Sequence, residues 1–248
     1  MIKFFRKIRQ NLLSEGKTTK YFKYAIGEII LVVIGILLAL QINNWNEGQK
    51  TRKLEKSTLI EIKNSLEMDI QNLNNQIESQ LQNAKYATVL LNHIKHKKAY
   101  STEIDILWEK VVQYFFVDFN TSAYKLLESR GIDIIENEEL RQRIVDHYNL
   151  EQTSMKRSTD VSEHLSNENL VYFFDRVYND ITPDFEKSFD YKNEKWIPQD
   201  YEALLNDPSL IPKISHNIKV RYRFSQLLRE FLKKQRLLVK DIEVELNK

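Results

Sequence analysis

The placement of glycine and proline most constrains what this 248-residue chain can fold into. All four prolines lie between Pro183 and Pro212, and after Gln49 the only glycine is Gly131. Sandwiches, barrels and doubly wound sheets need many turns, and turns draw heavily on these two residues. The sequence therefore predicts an all-α chain: an N-terminal transmembrane helix, then a long helical stalk and an up-and-down helical bundle.

The predicted transmembrane helix covers residues 24–45. Within it, Ile29 to Leu40 is an unbroken run of apolar residues and glycine, and the only charge in the whole segment is Glu28. About 20 residues are needed to cross the hydrocarbon core of a bilayer. A cleaved signal peptide and a buried core helix are the alternatives, although no small-x-small cleavage site follows Leu40.

The charges on either side of this segment predict its orientation. Residues 1–23 contain seven basic side chains, and only four follow the segment within fifteen positions. The positive-inside bias then places the N-terminus in the cytoplasm. We therefore expect a single-pass protein of the inner membrane with its C-terminal domain in the periplasm, and the absence of cysteine is compatible with export.

The first residues add a second predicted membrane contact. Residues 1–23 form a basic segment whose start alternates apolar and basic side chains at near-helical spacing, which is typical of a short helix lying on anionic lipid. The proposed lipid-surface residues are Lys3, Phe4, Phe5, Arg6, Lys7, Ile8 and Arg9. An ordinary topology determinant is the alternative interpretation, and the two are compatible.

Small residues in the transmembrane segment predict a packing face. Gly35 and Ala39 are four residues apart, and Gly27 lies two turns earlier on roughly the same side. Such a face lets two helices approach closely. Glu28 either reaches the cytoplasmic boundary with its side chain or pairs with another membrane subunit.

Residues 46–100 are predicted to form one long stalk helix, because the chain from Lys50 to Lys98 contains no glycine or proline. Apolar side chains recur along it at steps of three and four. This seam consists of Leu59, Ile62, Leu66, Ile70, Leu73, Ile77, Leu81, Ala84, Thr88 and Leu91, with Thr88 its one polar member. The seam fits pairing with a second copy and packing on the chain's own later helices about equally.

The remainder is divided into a helical body, residues 101–213, and a long C-terminal helix, residues 214–248, packing back on the stalk. Within the body, residues 103–119 are rich in aromatic side chains. We expect these to form the centre of the core and a candidate pocket lined by Trp108, Tyr114, Phe115 and Phe116. Asn137 is expected to cap one helix and Gly131 to end another.

Motifs that carry chemistry are missing from the sequence. There is no phosphate-binding glycine loop, no nucleophile elbow, no zinc-protease motif and no cysteine. His93 and His96 stand among lysines and are interpreted as a solvated turn. The basic run 213–236, which includes Arg221, is interpreted as a solvated helix face, so nucleic acid is not expected as a partner. We predict no catalytic residue, no metal and no cofactor.

Two stretches resemble a known family. Residues 1–47, MIKFFRKIRQNLLSEGKTTKYFKYAIGEIILVVIGILLALQINNWNE, and residues 121–148, TSAYKLLESRGIDIIENEELRQRIVDHY, are similar to an uncharacterised family of small single-pass membrane proteins of Bacteroidota. The resemblance implies an inner-membrane anchor and a periplasmic helical domain. It brings no activity and no catalytic residue.

Two functions remain open from the sequence. The first is a membrane-anchored scaffold or accessory subunit that acts through protein–protein contacts or self-association. The second is a periplasmic helical sensor that binds a small ligand and relies on a partner for output, because only about 23 residues would face the cytoplasm.

Overall fold

The computed structural model describes residues 18–113, 117–180 and 195–248. The chain divides into two compact units, Met1–Lys56 and Ser57–Lys248. Helix α1, Thr18–Lys95, is 78 residues long and contributes to both units. The all-α prediction is confirmed, because the described residues are helical apart from two short strands and their connections.

In the first unit, α1 carries the apolar run. Every side chain from Ile29 to Ile42 is exposed, and no residue in the most apolar 18-residue window of the helix is buried. A surface helix of a folded domain buries one apolar stripe, whereas this segment is apolar all round and buries none. By length and composition it is long and apolar enough to cross a membrane.

In the described part of the second unit, five shorter helices lie between α1 and a long final helix in chain order. The helices after α1 are α2 (Asp105–Val112), α3 (Ser122–Arg130), α4 (Glu138–Asp146), α5 (Gln152–Phe174), α6 (Tyr201–Leu205) and α7 (Leu210–Leu246). Short 3-10 turns cover Thr102–Ile104 and Ile132–Ile134, and a π turn, His147–Glu151, joins α4 to α5. Ile135, which follows the second of these 3-10 turns, has an extended backbone.

A small antiparallel hairpin follows α5. Strand β1, Val177–Asp180, pairs with β2, Lys195–Pro198, in the register Val177 to Pro198. The described part of the region that contains the prolines forms β2, α6 and the first turn of α7. Val177 and Trp196 are buried in the cluster around Trp108, which gives the hairpin an apolar support.

Two predicted helix ends are confirmed. The Asn137 side-chain oxygen accepts a hydrogen bond from the Leu140 N–H at 3.1 Å, so Asn137 caps α4. Gly131 follows α3 with a φ of 97°, a backbone conformation that glycine adopts at little cost. Helix α3 begins at Ser122. The Ser122 N–H donates a hydrogen bond to Asn120 Oδ1 at 3.1 Å.

The stalk seam packs on the chain's own helices. Leu59, Ile62 and Leu66 are buried in one cluster with Leu238, Val239 and Ile242 of α7. Further along, Leu73 and Ile77 pack with Phe224, Leu228 and Phe231. The sequence left two partners open for this seam, a second copy or the chain's own later helices. In the structure the seam packs on the later helices of the same chain.

Candidate functional site

The buried face of α1 includes polar residues as well as apolar ones, and two of them hold Asn120. The Ser65 hydroxyl donates to the Asn120 carbonyl oxygen at 2.9 Å. The Asn120 N–H donates to both carboxylate oxygens of Asp69, at 3.1 and 3.2 Å. Ser65 and Asp69 are one helical turn apart, so a single turn of α1 holds both sides of residue 120. We call these three residues the Asn120 clasp.

The π turn provides an aromatic wall beside the clasp. Tyr148 is 5% exposed and stacks on Tyr124, with ring centroids 4.4 Å apart and planes 10° apart. Its hydroxyl group is buried and lies close to Ser65. Burial raises the pKa of Tyr148 well above its usual range, Ser65 opposes the shift, and the charge of Asp69 adds to it. Tyr148 therefore lies within the electrostatic reach of Asp69.

Asp69 is only 2% exposed, and this burial raises the pKa of its carboxyl from 3.8 to about 6. The hydrogen bond from the Asn120 N–H lowers the pKa in part. Burial without a compensating cation disfavours the charged form of a carboxyl group. Asp69 can therefore gain and lose a proton within a unit or so of neutral pH, which an exposed aspartate does not do.

The Asp69 carboxylate is expected to cost stability at neutral pH. The pKa of Asp69 is higher in the folded state than in the unfolded state. The stability that the protonated carboxyl gives to the fold is therefore fully present below pH 3.8 and is lost as the pH rises through about 6. Asp69→Asn keeps an oxygen that can accept the Asn120 N–H. We expect it to raise the free energy of unfolding by up to about 3 kcal/mol at pH 8 and by little at pH 4. Urea unfolding of the full chain in mild detergent, followed by circular dichroism, measures this difference.

Asp118→Asn is the matched control for this measurement. Asp118 is an exposed carboxylate two residues before Asn120, so its neutralisation should leave stability unchanged within about 0.5 kcal/mol at both pH values. Equal stability of the Asp69→Asn variant and the wild type at pH 8 would contradict the cost assigned to the buried charge.

The same π turn carries a second titrating group. His147 is buried, its Nδ1 lies 3.1 Å from a Glu151 oxygen, and Lys234 of α7 lies 2.9 Å from the other Glu151 oxygen. Burial lowers the pKa of His147, while Glu151 raises it in part. The contribution of His147 to stability is therefore present above pH 6.5 and is lost as the pH falls through its lower folded-state pKa. This dependence has the opposite sign to that of Asp69.

Arg221 of α7 forms the centre of another buried polar group. Its side chain is 1% exposed, and burial lowers the pKa of its guanidinium group to about 10. The guanidinium donates to Asn217 Oδ1 at 2.9 Å, to Gln80 Oε1 at 2.7 Å and to three carbonyl oxygens around the end of α2. Those carbonyls belong to Lys110, Val111 and Gln113, at 3.0, 3.2 and 2.8 Å.

The interpretation of the basic run as a solvated face is wrong at Arg221. The carbonyl groups at the C-terminal end of a helix lack partners inside the helix and carry partial negative charge. Arg221 satisfies such groups where α2 ends, which explains why a charged residue is buried in the middle of α7. Neighbouring Arg223 is exposed, as the interpretation required.

The residues of the predicted pocket are only partly described. Trp108 is fully buried, with its ring 6.1 Å from that of Phe173, and lies in the cluster with the hairpin. Tyr114, Phe115 and Phe116 lie outside the described residues, so the pocket stays a prediction. Sequence reasoning did not find Ser65, Asp69 or Gln80, because it followed apolar residues along α1.

The predicted membrane residues are likewise described in part. Lys3 to Arg9 lie outside the described residues. A Cβ atom placed on Gly27 or Gly35 would meet no other atom within 4 Å in the described part of the chain, and Ala39 is exposed. Glu28 is partly exposed. The packing face and the role of Glu28 stay predictions.

The two histidines near the end of α1 bind backbone groups. His93 Nε2 lies 3.1 Å from the Ala99 carbonyl oxygen, and His96 Nδ1 lies 2.7 Å from the Asn92 carbonyl oxygen. Within residues 18–113, 117–180 and 195–248 there is no group of three or more metal-binding side chains. The expectation that the protein has no metal or cofactor remains a prediction.

The fold and these sites define a helical protein with one candidate membrane-spanning helix and a helical bundle that has buried polar groups. The model of a family of unknown function (DUF6090) matches residues 28–149, just under half of the chain. This match confirms the expected similarity to an uncharacterised family. It includes the end of the first resembling stretch, the whole of the second, and both α1 residues of the Asn120 clasp. Comparisons with curated proteins and with solved structures found no match.

Proposed function

We propose that the protein is an anchored accessory subunit or scaffold of the cell envelope. Its apolar helix segment crosses the inner membrane once, the N-terminus lies in the cytoplasm, and the second unit works in the periplasm. It acts through contacts with other proteins or with a second copy, and it is not an enzyme. Lipid surrounds the anchor, and nucleic acid is not a partner.

The observation that carries this proposal is the exposure of every side chain from Ile29 to Ile42. Such a large continuous apolar surface is unfavourable in water and favourable in a bilayer. In the second unit, by contrast, the apolar seam of α1 is already buried against α7. Partner contacts are therefore assigned to the anchor and to the exposed surface of the second unit rather than to this seam.

The test is photo-crosslinking in native cells, with affinity purification of the tagged full-length chain and mass spectrometry. We expect a reproducible envelope protein, or a second copy, crosslinked through the anchor or the second unit. Gly35→Leu with Ala39→Leu adds bulk to the small-residue face and should lower the yield of anchor crosslinks. Val33→Leu adds bulk on the opposite side of the helix and should not. Recovery of the chain alone from cells would contradict the proposal.

A ligand-binding sensor is the second candidate function. It is favoured by Asp69, a buried carboxylate whose pKa is raised to about 6, since strongly shifted groups concentrate at functional sites. A thermal-shift screen of the full chain in detergent tests it. A metabolite that stabilises the wild type is the expected result, and a screen without any stabilising compound would count against this candidate.

A further inference from the structure

We propose that the Asn120 clasp is a proton-operated latch: α1 holds the segment Val117–Asn120 while Asp69 is protonated, and the segment loosens when Asp69 is ionised. This inference goes beyond the proposed function. It concerns the second unit alone, and it holds whether or not the chain has a partner.

The hydrogen bonds described between the segment and α1 all involve one residue, Asn120. Both peptide groups of Asn120 are held by a single turn of α1, through the Ser65 hydroxyl and the Asp69 carboxylate. The Asn120 side-chain oxygen accepts a hydrogen bond from the Ser122 N–H, so the same residue also sets the start of α3. Releasing Asn120 would therefore remove the hydrogen bonds that join this segment to Ser65 and Asp69 of α1, and it would loosen the first turn of α3 at the same time.

The surroundings of Asp69 favour the neutral form. Ser65 of α1, Tyr124 of α3 and Tyr148 of the π turn are uncharged near neutral pH, and Asp118 of the segment itself is exposed. Among the described residues, Glu151 and Lys234 are charged groups on the adjoining elements; they act on the pKa of His147, whereas the pKa of Asp69 is shifted by burial and by the Asn120 N–H. The Asn120 N–H is the hydrogen bond that supports the charge.

The direction of the switch follows from linkage. Contact with water lowers the free energy of a buried carboxylate. Ionisation of Asp69 therefore favours any state in which its side chain is hydrated. The carboxyl has a pKa of about 6 when the clasp is closed and an ordinary value of 3.8 when it is solvated. Proton binding therefore stabilises the closed clasp, and opening becomes more frequent as the pH rises above the lower value.

Loosening has a defined consequence for the core. Val117 is buried with Leu73 and Ile77, and the ring of Phe119 lies 5.0 Å from that of Phe231 on α7. When the segment leaves α1, these two apolar side chains lose their cover, and so does the part of the cluster beneath them. The latch thus couples the pH around the second unit to the exposure of an apolar surface.

Hydrogen–deuterium exchange of the full chain in detergent, at pH 5 and pH 8, tests the latch. Exchange times are scaled for the intrinsic pH dependence of amide exchange, and peptides that contain residues 117–121 are compared. The two pKa values predict that the opening constant of the wild type rises by about tenfold between pH 5 and pH 8. The Asp69→Asn variant has no charge to hydrate, so its opening constant should not rise between pH 5 and pH 8.

Two further variants separate the latch from a general loosening. Asp118→Asn neutralises an exposed carboxylate in the same segment and should keep the tenfold rise of the wild type. Ser65→Ala removes the uncharged half of the clasp and should raise opening at both pH values while keeping the rise. A wild type without pH dependence in these peptides would overturn the latch, and so would an Asp69→Asn variant that keeps it. If Asp69→Asn does not fold, the wild type and the other two variants still decide the matter.

Discussion

Replacing Arg221 by alanine is expected to lower the free energy of unfolding by about 3–5 kcal/mol. The change removes the donor of the hydrogen bonds to two amide side chains and three carbonyl oxygens. A buried acceptor that loses its partner costs about 1–3 kcal/mol, and some of these acceptors keep a second bond. The Val111 carbonyl, for example, also accepts the Asn217 amide at 3.0 Å. Urea unfolding of the full chain in mild detergent measures the loss.

Arg223→Ala is the matched control for Arg221→Ala. Arg223 lies on the same helix but is exposed, so its loss should change stability by no more than about 0.5 kcal/mol. Arg221→Lys keeps a charge but has fewer and less widely placed donors than the guanidinium group, and it should fall between the two. A loss of less than 1 kcal/mol on Arg221→Ala would show that the α2 carbonyls find other partners.

The helices followed from the sequence because their signals are local. The cap at Asn137 and the helix end at Gly131 each depend on a few neighbouring residues. The scarcity of glycine and proline can be seen along each helix without knowing its tertiary contacts. The short strands were missed because their pairing joins Val177 to Pro198 across an intervening stretch of chain. Neither strand shows the alternation of apolar and polar residues that predicts a strand on its own.

The Asn120 clasp was missed for a different reason. The predicted seam passed through the apolar residues Ile70 and Leu81 and through its one polar member, Thr88. The structure buries Asp69, Gln80 and Ala87 instead and leaves Thr88 exposed. A seam through Ile62, Leu66, Asp69, Leu73, Ile77, Gln80, Ala84, Ala87 and Leu91 also alternates steps of three and four. The spacing of that seam is therefore compatible with a buried Asp69, but the polarity of this residue excluded it from the predicted seam.

Arg221 shows the limit of reading a helix from its charges. Its neighbours Lys219 and Arg223 make it look like one more member of a basic face. Its burial depends on carbonyl groups of Lys110 and Val111, more than one hundred residues away in the chain. Such a partner carries no side-chain signal, because every residue has a carbonyl group.

The largest effect is expected from arginines in the apolar segment of α1. Val33→Arg with Leu37→Arg places two charges near the middle of a run whose side chains are all exposed. An arginine at the centre of a membrane helix costs about 2.5–3.5 kcal/mol on an insertion scale, so the pair costs about 6 kcal/mol. The wild type should stay in the membrane pellet after alkaline carbonate extraction, and the variant should leave it.

Gln71→Arg with Asn75→Arg provides a control with the same charge and the same spacing on the same helix. Both residues are exposed in the second unit, so this variant should stay in the pellet with the wild type. Mass spectrometry of the mature chain separates an anchor from a cleaved signal peptide, because an anchored chain keeps residues 24–45. Extraction of the wild type by carbonate, or retention of the double-arginine variant, would remove the basis for an anchored protein and leave the helical second unit to be explained without a membrane.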